Sequence, residues 1–105
     1  MNNDQYYIER GIQMIRYHLL VKGLVQGVGY RYFVKTTAVQ LKLKGWVRNL
    51  YDGHVEVEVQ GETERVNMFI SHLKEGPRFS TVDEVVQAEL PVAEGERGFV
   101  IRGDN

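Results

Sequence analysis

The chain has 105 residues, of which 43% are apolar and 26% are charged, a balance that is typical of one globular domain. Its formal net charge of −1 argues against a protein that wraps nucleic acid, because such proteins carry a strong basic excess. It contains no cysteine, which excludes a disulfide framework, a thiolate metal site and a cysteine nucleophile. No apolar run approaches bilayer-spanning length, and the polar N-terminus lacks the apolar stretch of a signal peptide. We therefore expect a cytoplasmic protein with neither a nucleic acid nor a membrane as partner.

The first sixteen residues differ from the rest of the chain, since their tyrosines and isoleucines follow no clean period. We expect an N-terminal extension over residues 1–16, as a frayed tail or a short docked helix, and one domain over residues 17–105. Met14 raises the hypothesis that translation begins there. The intact mass of the protein from its own cell tests this, because a mass that includes residues 1–13 contradicts it.

From Tyr17 onward the apolar pattern becomes regular. A run rich in leucine and valine predicts a strand over residues 17–25, and a helix follows after a glycine-containing loop. The apolar face of this helix consists of Phe33, Val34, Thr37, Ala38 and Leu41. A short strand over residues 45–50 precedes the pair Asp52-Gly53, which favours a tight hairpin. In the next strand three valines alternate with polar residues, so one face is expected to be buried and the other wet: Val55, Val57 and Val59.

The second half of the chain continues with a helix and two strands. The helix carries the apolar stripe Val66, Phe69, Ile70 and Leu73 and ends at Gly76-Pro77. A strand over residues 82–90 places Val86, Ala88 and Leu90 on one face, and residues 99–102 form a short last strand. The order β-α-β-β-α-β with one extra strand predicts an α+β sandwich, in which two helices cover one face of an antiparallel-rich sheet of four to five strands.

The loop over residues 26–31 lies between a strand and a helix, where phosphates are commonly held by backbone amides and the positive end of the helix dipole. Gly27 and Gly29 permit positive φ and close approach of a ligand. Arg31 can bind two phosphate oxygens at once. Taken alone, the glycine pair fits a plain turn with Arg31 in solvent at least as well. A dinucleotide fingerprint is excluded because Tyr32 stands where it needs a small residue, and a Walker loop is excluded because Gly-Lys-Ser/Thr is absent.

Two longer motifs contain this loop and the hairpin. Residues 23–33, GLVQGVGYRYF, resemble the first signature of the acylphosphatase family, and residues 45–55, GWVRNLYDGHV, closing at Gly61, resemble its second. Both match at their fixed positions, and the likeness extends in outline over residues 17–102. The resemblance implies the ferredoxin-like form of the sandwich and the hydrolysis of small acyl phosphates to a carboxylate and inorganic phosphate.

The same resemblance implies roles for individual residues. Arg31 would bind the phosphate, Asn49 would position the attacking water, and backbone amides would complete the cradle over Gln26, Gly27, Val28, Gly29, Tyr30 and Arg31. The leaving carboxylate has a pKa of about 4 and needs no proton at neutral pH. A loose transition state also needs no strong base, so positioning and charge stabilisation suffice. We expect no metal and no cofactor, inorganic phosphate as product and inhibitor, and a monomer.

Other polar residues are better explained without chemistry. His18, His54 and His72 are scattered without the spacing of metal ligands, and no visible base adjoins a serine or threonine. Glu56 and Glu58 are expected to be solvated residues on the outer face of a strand.

Two rival functions stay open at this point. Residues 44–51 superficially resemble the aromatic strand motif of single-stranded RNA-binding domains. However, Val47 and Arg48 stand where that motif needs a small and an aromatic residue, and the segment lies on the second strand rather than the third. A non-catalytic module that senses an acidic metabolite would use the same loop without turnover.

Overall fold

Seven elements follow one another in the order that the sequence predicts. They are β1 (Met14–Leu24), α1 (Tyr30–Gln40), β2 (Lys44–Asn49), β3 (Val55–Glu62), α2 (Thr63–Glu75), β4 (Thr81–Leu90) and β5 (Phe99–Ile101). The computed structural model of the chain describes residues 11–27 and 29–103. The sheet has the strand order β4-β1-β3-β2-β5, and its ladders are antiparallel except for the parallel pair β2–β5. The predicted ferredoxin-like α+β sandwich is confirmed.

The hydrophobic core lies between the two helices and one face of the sheet. The valines of β3 that alternate in the sequence are all fully buried: Val55, Val57 and Val59. The predicted stripe of α2 is buried as well: Val66, Phe69, Ile70 and Leu73. In β4 the core contacts come from Val82 and Val85, whereas Val86 is 42% exposed. Neither helix of the described chain is long and apolar enough to cross a membrane.

The first strand begins at Met14 rather than at Tyr17, and its first residues pair with the end of β3. Arg16 is 4% exposed and donates hydrogen bonds to Glu96 at 2.7 and 3.0 Å and to Glu58 at 2.9 Å. The hydrogen bonds to Glu96, with those to Glu58, outweigh burial and raise the pKa of the Arg16 guanidinium. Apolar periodicity cannot detect an arginine that is buried through ion pairs, which is why the predicted strand starts too late. The tail or docked helix predicted at the N-terminus falls largely on residues 1–10, outside the described residues, and the division of the chain at residue 17 stays a prediction.

The outer face of the sheet is less wet than the alternating pattern predicts. The Glu56 side chain is 17% exposed and lies 2.8 Å from His18 Nε2 and 2.6 Å from Arg48 Nε. Burial alone would raise the pKa of Glu56, but its hydrogen bonds with His18 and Arg48 outweigh burial and hold that pKa below its usual value. The prediction of solvated carboxylates is therefore wrong in degree: Glu56 and Glu58 do lie on the outer face, but both are ion-paired and mostly covered.

The strand directions bring three strand ends to one edge of the sheet. Because β1 and β2 both run antiparallel to β3, they run parallel to each other on either side of it, and Val21 and Asn49 both lie opposite Val55. β5 runs parallel to β2, with Ile101 opposite Val47. The loop after β1, the last residue of β2 and the end of β5 therefore meet at this edge.

Candidate active site

The loop after β1 turns through two glycines with left-handed backbone. Gly27 has φ 75° and Gly29 has φ 76°, so both adopt the positive φ that their residue type permits. A Cβ built on either glycine would meet no atom of the described residues within 4 Å, chain neighbours apart. Lack of space inside the protein therefore does not explain these glycines. The backbone conformation does, because L-residues with a side chain adopt it at a cost.

The helix that follows the loop has no side-chain cap at its N-terminus. Gly29 is the N-cap of α1, offers no side-chain cap, and no acidic residue occupies the first turn. The first intrahelical hydrogen bond runs from the amide of Phe33 to the carbonyl of Gly29, at 3.0 Å. The amides of Tyr30, Arg31 and Tyr32 therefore have no intrahelical acceptor. Together with the positive end of the helix dipole, these donors favour an anion at this terminus.

One small cavity connects this helix terminus with the end of β2. Its volume is about 240 Å³, and its lining residues are Val25, Gly27, Gly29, Tyr30, Arg31, Tyr32, Asn49 and Ile101. The structure thus brings together five residues that the sequence predicts for the site: Gly27, Gly29, Tyr30, Arg31 and Asn49. Val28 lies outside the described residues. Gln26 lies next to the cavity, and its side chain makes a different contact, described below.

Asn49 contributes a polar atom without a protein partner. The residue is 8% exposed, and its Oδ1 is buried and accepts no hydrogen bond from any described residue. A buried acceptor without a partner costs about 1–3 kcal/mol. Asn49 lines the cavity, and its amide oxygen is left without a hydrogen-bond donor among the described residues.

The Gln26 side chain connects the loop to the β2–β3 turn. Its Nε2 donates hydrogen bonds to the carbonyl oxygens of Leu50 at 2.7 Å and His54 at 2.9 Å. The same two carbonyls close the turn itself, by accepting from the amides of Gly53 and Leu50, respectively. Sequence reasoning assigned Gln26 only a backbone role, because a side-chain contact across 24 to 28 residues leaves no local pattern.

Tyr30 lines the cavity, while its hydroxyl is engaged elsewhere. The side chain is 1% exposed, and its hydroxyl donates to the carbonyl of Leu73 in α2 at 2.9 Å. Burial raises the pKa of the Tyr30 phenol well above its usual value, so the group stays protonated at neutral pH. The described lining offers the guanidinium of Arg31 and the amide of Asn49, but no carboxyl or imidazole group.

Three residues that sequence reasoning did not assign to the site also line the cavity: the buried Val25 and two exposed residues. Tyr32 is 68% exposed and Ile101 is 40% exposed, and they come from α1 and from the edge strand β5. Ile101 reaches the site only through the parallel pairing of β5 with β2, which apolar patterning does not predict.

These features define a ferredoxin-like domain with a candidate anion-binding site at one edge of its sheet. The family model of acylphosphatase matches residues 17–101. An acylphosphatase of Clostridium beijerinckii is 48% identical over 89 residues, which cover 85% of this chain and 99% of that protein. The crystal structure of an acylphosphatase from Bacillus subtilis matches with a TM-score of 0.81 and 40% identity, over 84% of this chain and 98% of that one. Full-length HypF, in its phosphate- and nucleotide-bound form, also matches with a TM-score of 0.81 and 37% identity, over 89% of this chain but 12% of its own.

The chain therefore belongs to the acylphosphatase family, a family of hydrolases whose activity is the hydrolysis of acyl phosphates. The family membership that the two sequence motifs predict is confirmed.

Proposed function

We propose that this chain hydrolyses small acyl phosphates by direct attack of a water molecule on phosphorus. Arg31 and the backbone amides of residues 26–31 bind the phosphate, and Asn49 positions the water. The observation that carries this proposal is one cavity lined by Arg31, by the N-terminus of α1 without a side-chain cap, and by Asn49, whose Oδ1 accepts no hydrogen bond from the described residues.

The groups around the cavity suit a leaving group that departs without help. The oxygen of water forms a bond to phosphorus while the bond from phosphorus to the acyl oxygen breaks, and the electron pair leaves with the carboxylate. Since a carboxylic acid has a pKa of about 4, the carboxylate departs unprotonated at neutral pH. The proton of the water passes to an oxygen of the phosphate itself, so no side chain has to act as a base.

Charge stabilisation is the main task of the protein in this scheme. The Arg31 guanidinium and the amides at the start of α1 offset the negative charge of the phosphoryl oxygens, in an orientation fixed before the reaction begins. The two positive-φ glycines keep the loop in the conformation that directs its amides towards the anion.

The alternative of an RNA-binding surface lacks support at its central residue. The segment that resembles the RNA-binding motif has two aromatic residues, of which Trp46, within the strand, is only 7% exposed, and Tyr51, in the turn after it, is 90% exposed. Arg102 lies 4.3 Å and Arg48 lies 5.5 Å from its ring centroid. A base has no free face of Trp46 on which to stack. We propose that the chain acts as a cytoplasmic monomer on a dissolved small molecule, independently of nucleic acid, membrane or metal, with inorganic phosphate as product and competitive inhibitor.

Turnover separates the enzyme from a module that only senses an anion. Purified protein is expected to release phosphate from acetyl phosphate or benzoyl phosphate without added metal, and a chelator is expected to leave the rate unchanged. The same assay includes Arg31→Ala, which is expected to lower the rate. Arg78→Ala is its matched control, because Arg78 is exposed and does not line the cavity. A wild-type rate equal to spontaneous hydrolysis would refute the proposal, and phosphate binding without turnover would favour the sensor.

A further inference from the structure

We propose that Gln26 is a positioning residue, which holds the phosphate-binding loop and Asn49 at a fixed separation. This inference rests on the proposed function, because it concerns the distance between the bound phosphate and the water. It assigns the Gln26 side chain a role apart from ligand binding, since both of its amide hydrogen bonds run to the β2–β3 turn.

The loop and Asn49 have no direct strand ladder between them. β1, which leads into the loop, and β2, which ends at Asn49, are separated by β3 in the sheet. The loop itself contains two glycines with left-handed backbone, and glycine constrains a chain less than any other residue. A cross-connection at this edge of the sheet therefore constrains the loop relative to the end of β2.

Gln26 provides this connection at the residue next to Asn49. Leu50 directly follows Asn49 in the chain, and its carbonyl oxygen is 2.7 Å from Gln26 Nε2. The second acceptor, the carbonyl of His54, directly precedes Val55, the residue opposite Asn49 in the sheet. Both amide protons of one side chain are thus bound to the two sides of the turn that carries Asn49.

The acceptors belong to a turn that is already closed. The amide of Leu50 donates to the carbonyl of His54 at 2.9 Å, and Asp52 Oδ1 accepts from the amide of His54 at 3.0 Å. A carbonyl oxygen has two lone pairs, so each acceptor can serve the turn and Gln26 together. The amide of Gln26 therefore joins the loop to a turn that is closed by its own hydrogen bonds.

The first test separates turnover from phosphate affinity. In Gln26→Ala, loss of the connection lets the loop and Asn49 drift apart, and a displacement of about 1 Å can cost on the order of 100-fold in rate. We expect kcat to fall about 10- to 100-fold, while the inhibition constant of inorganic phosphate changes less than about 3-fold, because Arg31 and the loop amides remain. Gln87→Ala, which removes an exposed glutamine of β4, is the matched control.

Two further variants identify the hydrogen bonds as the cause. Gln26→Glu keeps the shape, but a carboxylate cannot donate to the carbonyls of Leu50 and His54, so kcat is expected to fall at least as far as in Gln26→Ala. Gln26→Met keeps the length of the side chain but has no donor, so its kcat is expected to fall likewise. Wild-type kcat in either variant would overturn the inference, and so would an equal loss of kcat and phosphate affinity, because that result makes Gln26 part of the phosphate cradle.

A measurement without turnover tests the same connection independently of the proposed reaction. In heteronuclear NMR spectra, Gln26→Ala is expected to shift the side-chain amide signal of Asn49 and the backbone amide signal of Gly53, while Gln87→Ala leaves both in place. Unchanged Asn49 and Gly53 signals would overturn the inference even if the enzyme is active. If the wild-type protein fails to release phosphate, the proposed function is refuted. The NMR comparison still decides whether Gln26 connects the loop to the turn.

Discussion

Replacing Asn49 by alanine is expected to separate activity from stability. The truncation removes a buried acceptor that receives no hydrogen bond from the described residues, and such an acceptor costs about 1–3 kcal/mol. The free energy gained by removing this acceptor offsets the packing free energy that is lost with the side chain. We expect the free energy of unfolding to change by no more than about 1 kcal/mol, which corresponds to a shift of roughly 4–8 °C in Tm for a domain of this size. Turnover, in contrast, should fall at least about 100-fold, equivalent to about 2.7 kcal/mol in the barrier, because the attacking water loses its orientation.

The assay compares phosphate release from acetyl phosphate with chemical denaturation of the same samples. Asn67→Ala is the matched control, since Asn67 is an exposed asparagine on α2. The inhibition constant of inorganic phosphate should stay within about 3-fold of wild type, because the phosphate is bound by other groups. The reasoning is refuted if Asn49→Ala weakens phosphate inhibition as much as turnover, or if it destabilises the protein by more than about 2 kcal/mol.

Three other substitutions, together with one control, test the phosphate site, the sheet and the outer face. Arg31→Ala should lower turnover by about 1,000-fold or more and abolish inhibition by phosphate, and retained phosphate affinity in the release assay contradicts its role. In Gly45→Ala the new Cβ would lie 1.9 Å from the carbonyl oxygen of Glu58 at φ +143°, so denaturant unfolding should show a loss of roughly 3 kcal/mol or more. Gly98→Ala, whose Cβ meets nothing within 4 Å, should change stability by no more than about 0.5 kcal/mol, and equal effects of the two substitutions disprove the steric argument. The pKa of Glu56 is lowered in the folded state, so its ionised form stabilises the fold above the unfolded pKa of about 4.3, and this stability is lost as the pH falls through the folded pKa. Glu56→Gln should therefore flatten the fall in unfolding free energy below about pH 4.3. An unchanged pH profile counts against this role of Glu56.

The sequence predicts the fold well where one face of an element is apolar. The alternation at Val55, Val57 and Val59 and the stripe of α2 both concern residues a few positions apart, and the structure buries all of them. The start of β1 is predicted too late because Arg16 is buried by Glu96, a residue 80 positions away. Two residues so far apart in the sequence contribute to no local pattern. Their ion pair is therefore visible only in the folded chain.

The candidate site also combines features that follow from the local sequence with features that depend on the topology of the sheet. The positive φ of Gly27 and Gly29 follows from their residue type and their place between a strand and a helix. The contacts of the Gln26 amide with the turn depend on the strand order of the sheet, and so does the position of Ile101 at the cavity. The motifs therefore predict which residues form the site, and the topology explains how those residues are held relative to one another.

The central claim is that water attacks phosphorus between Arg31 and Asn49. It is tested most directly by running the hydrolysis of acetyl phosphate to completion in water enriched in the heavy oxygen isotope, and then analysing both products by mass spectrometry. Direct attack on phosphorus predicts that the label enters the inorganic phosphate and that the acetate stays unlabelled. Label in the acetate would mean that water attacks the carbonyl carbon, and would contradict the proposed mechanism.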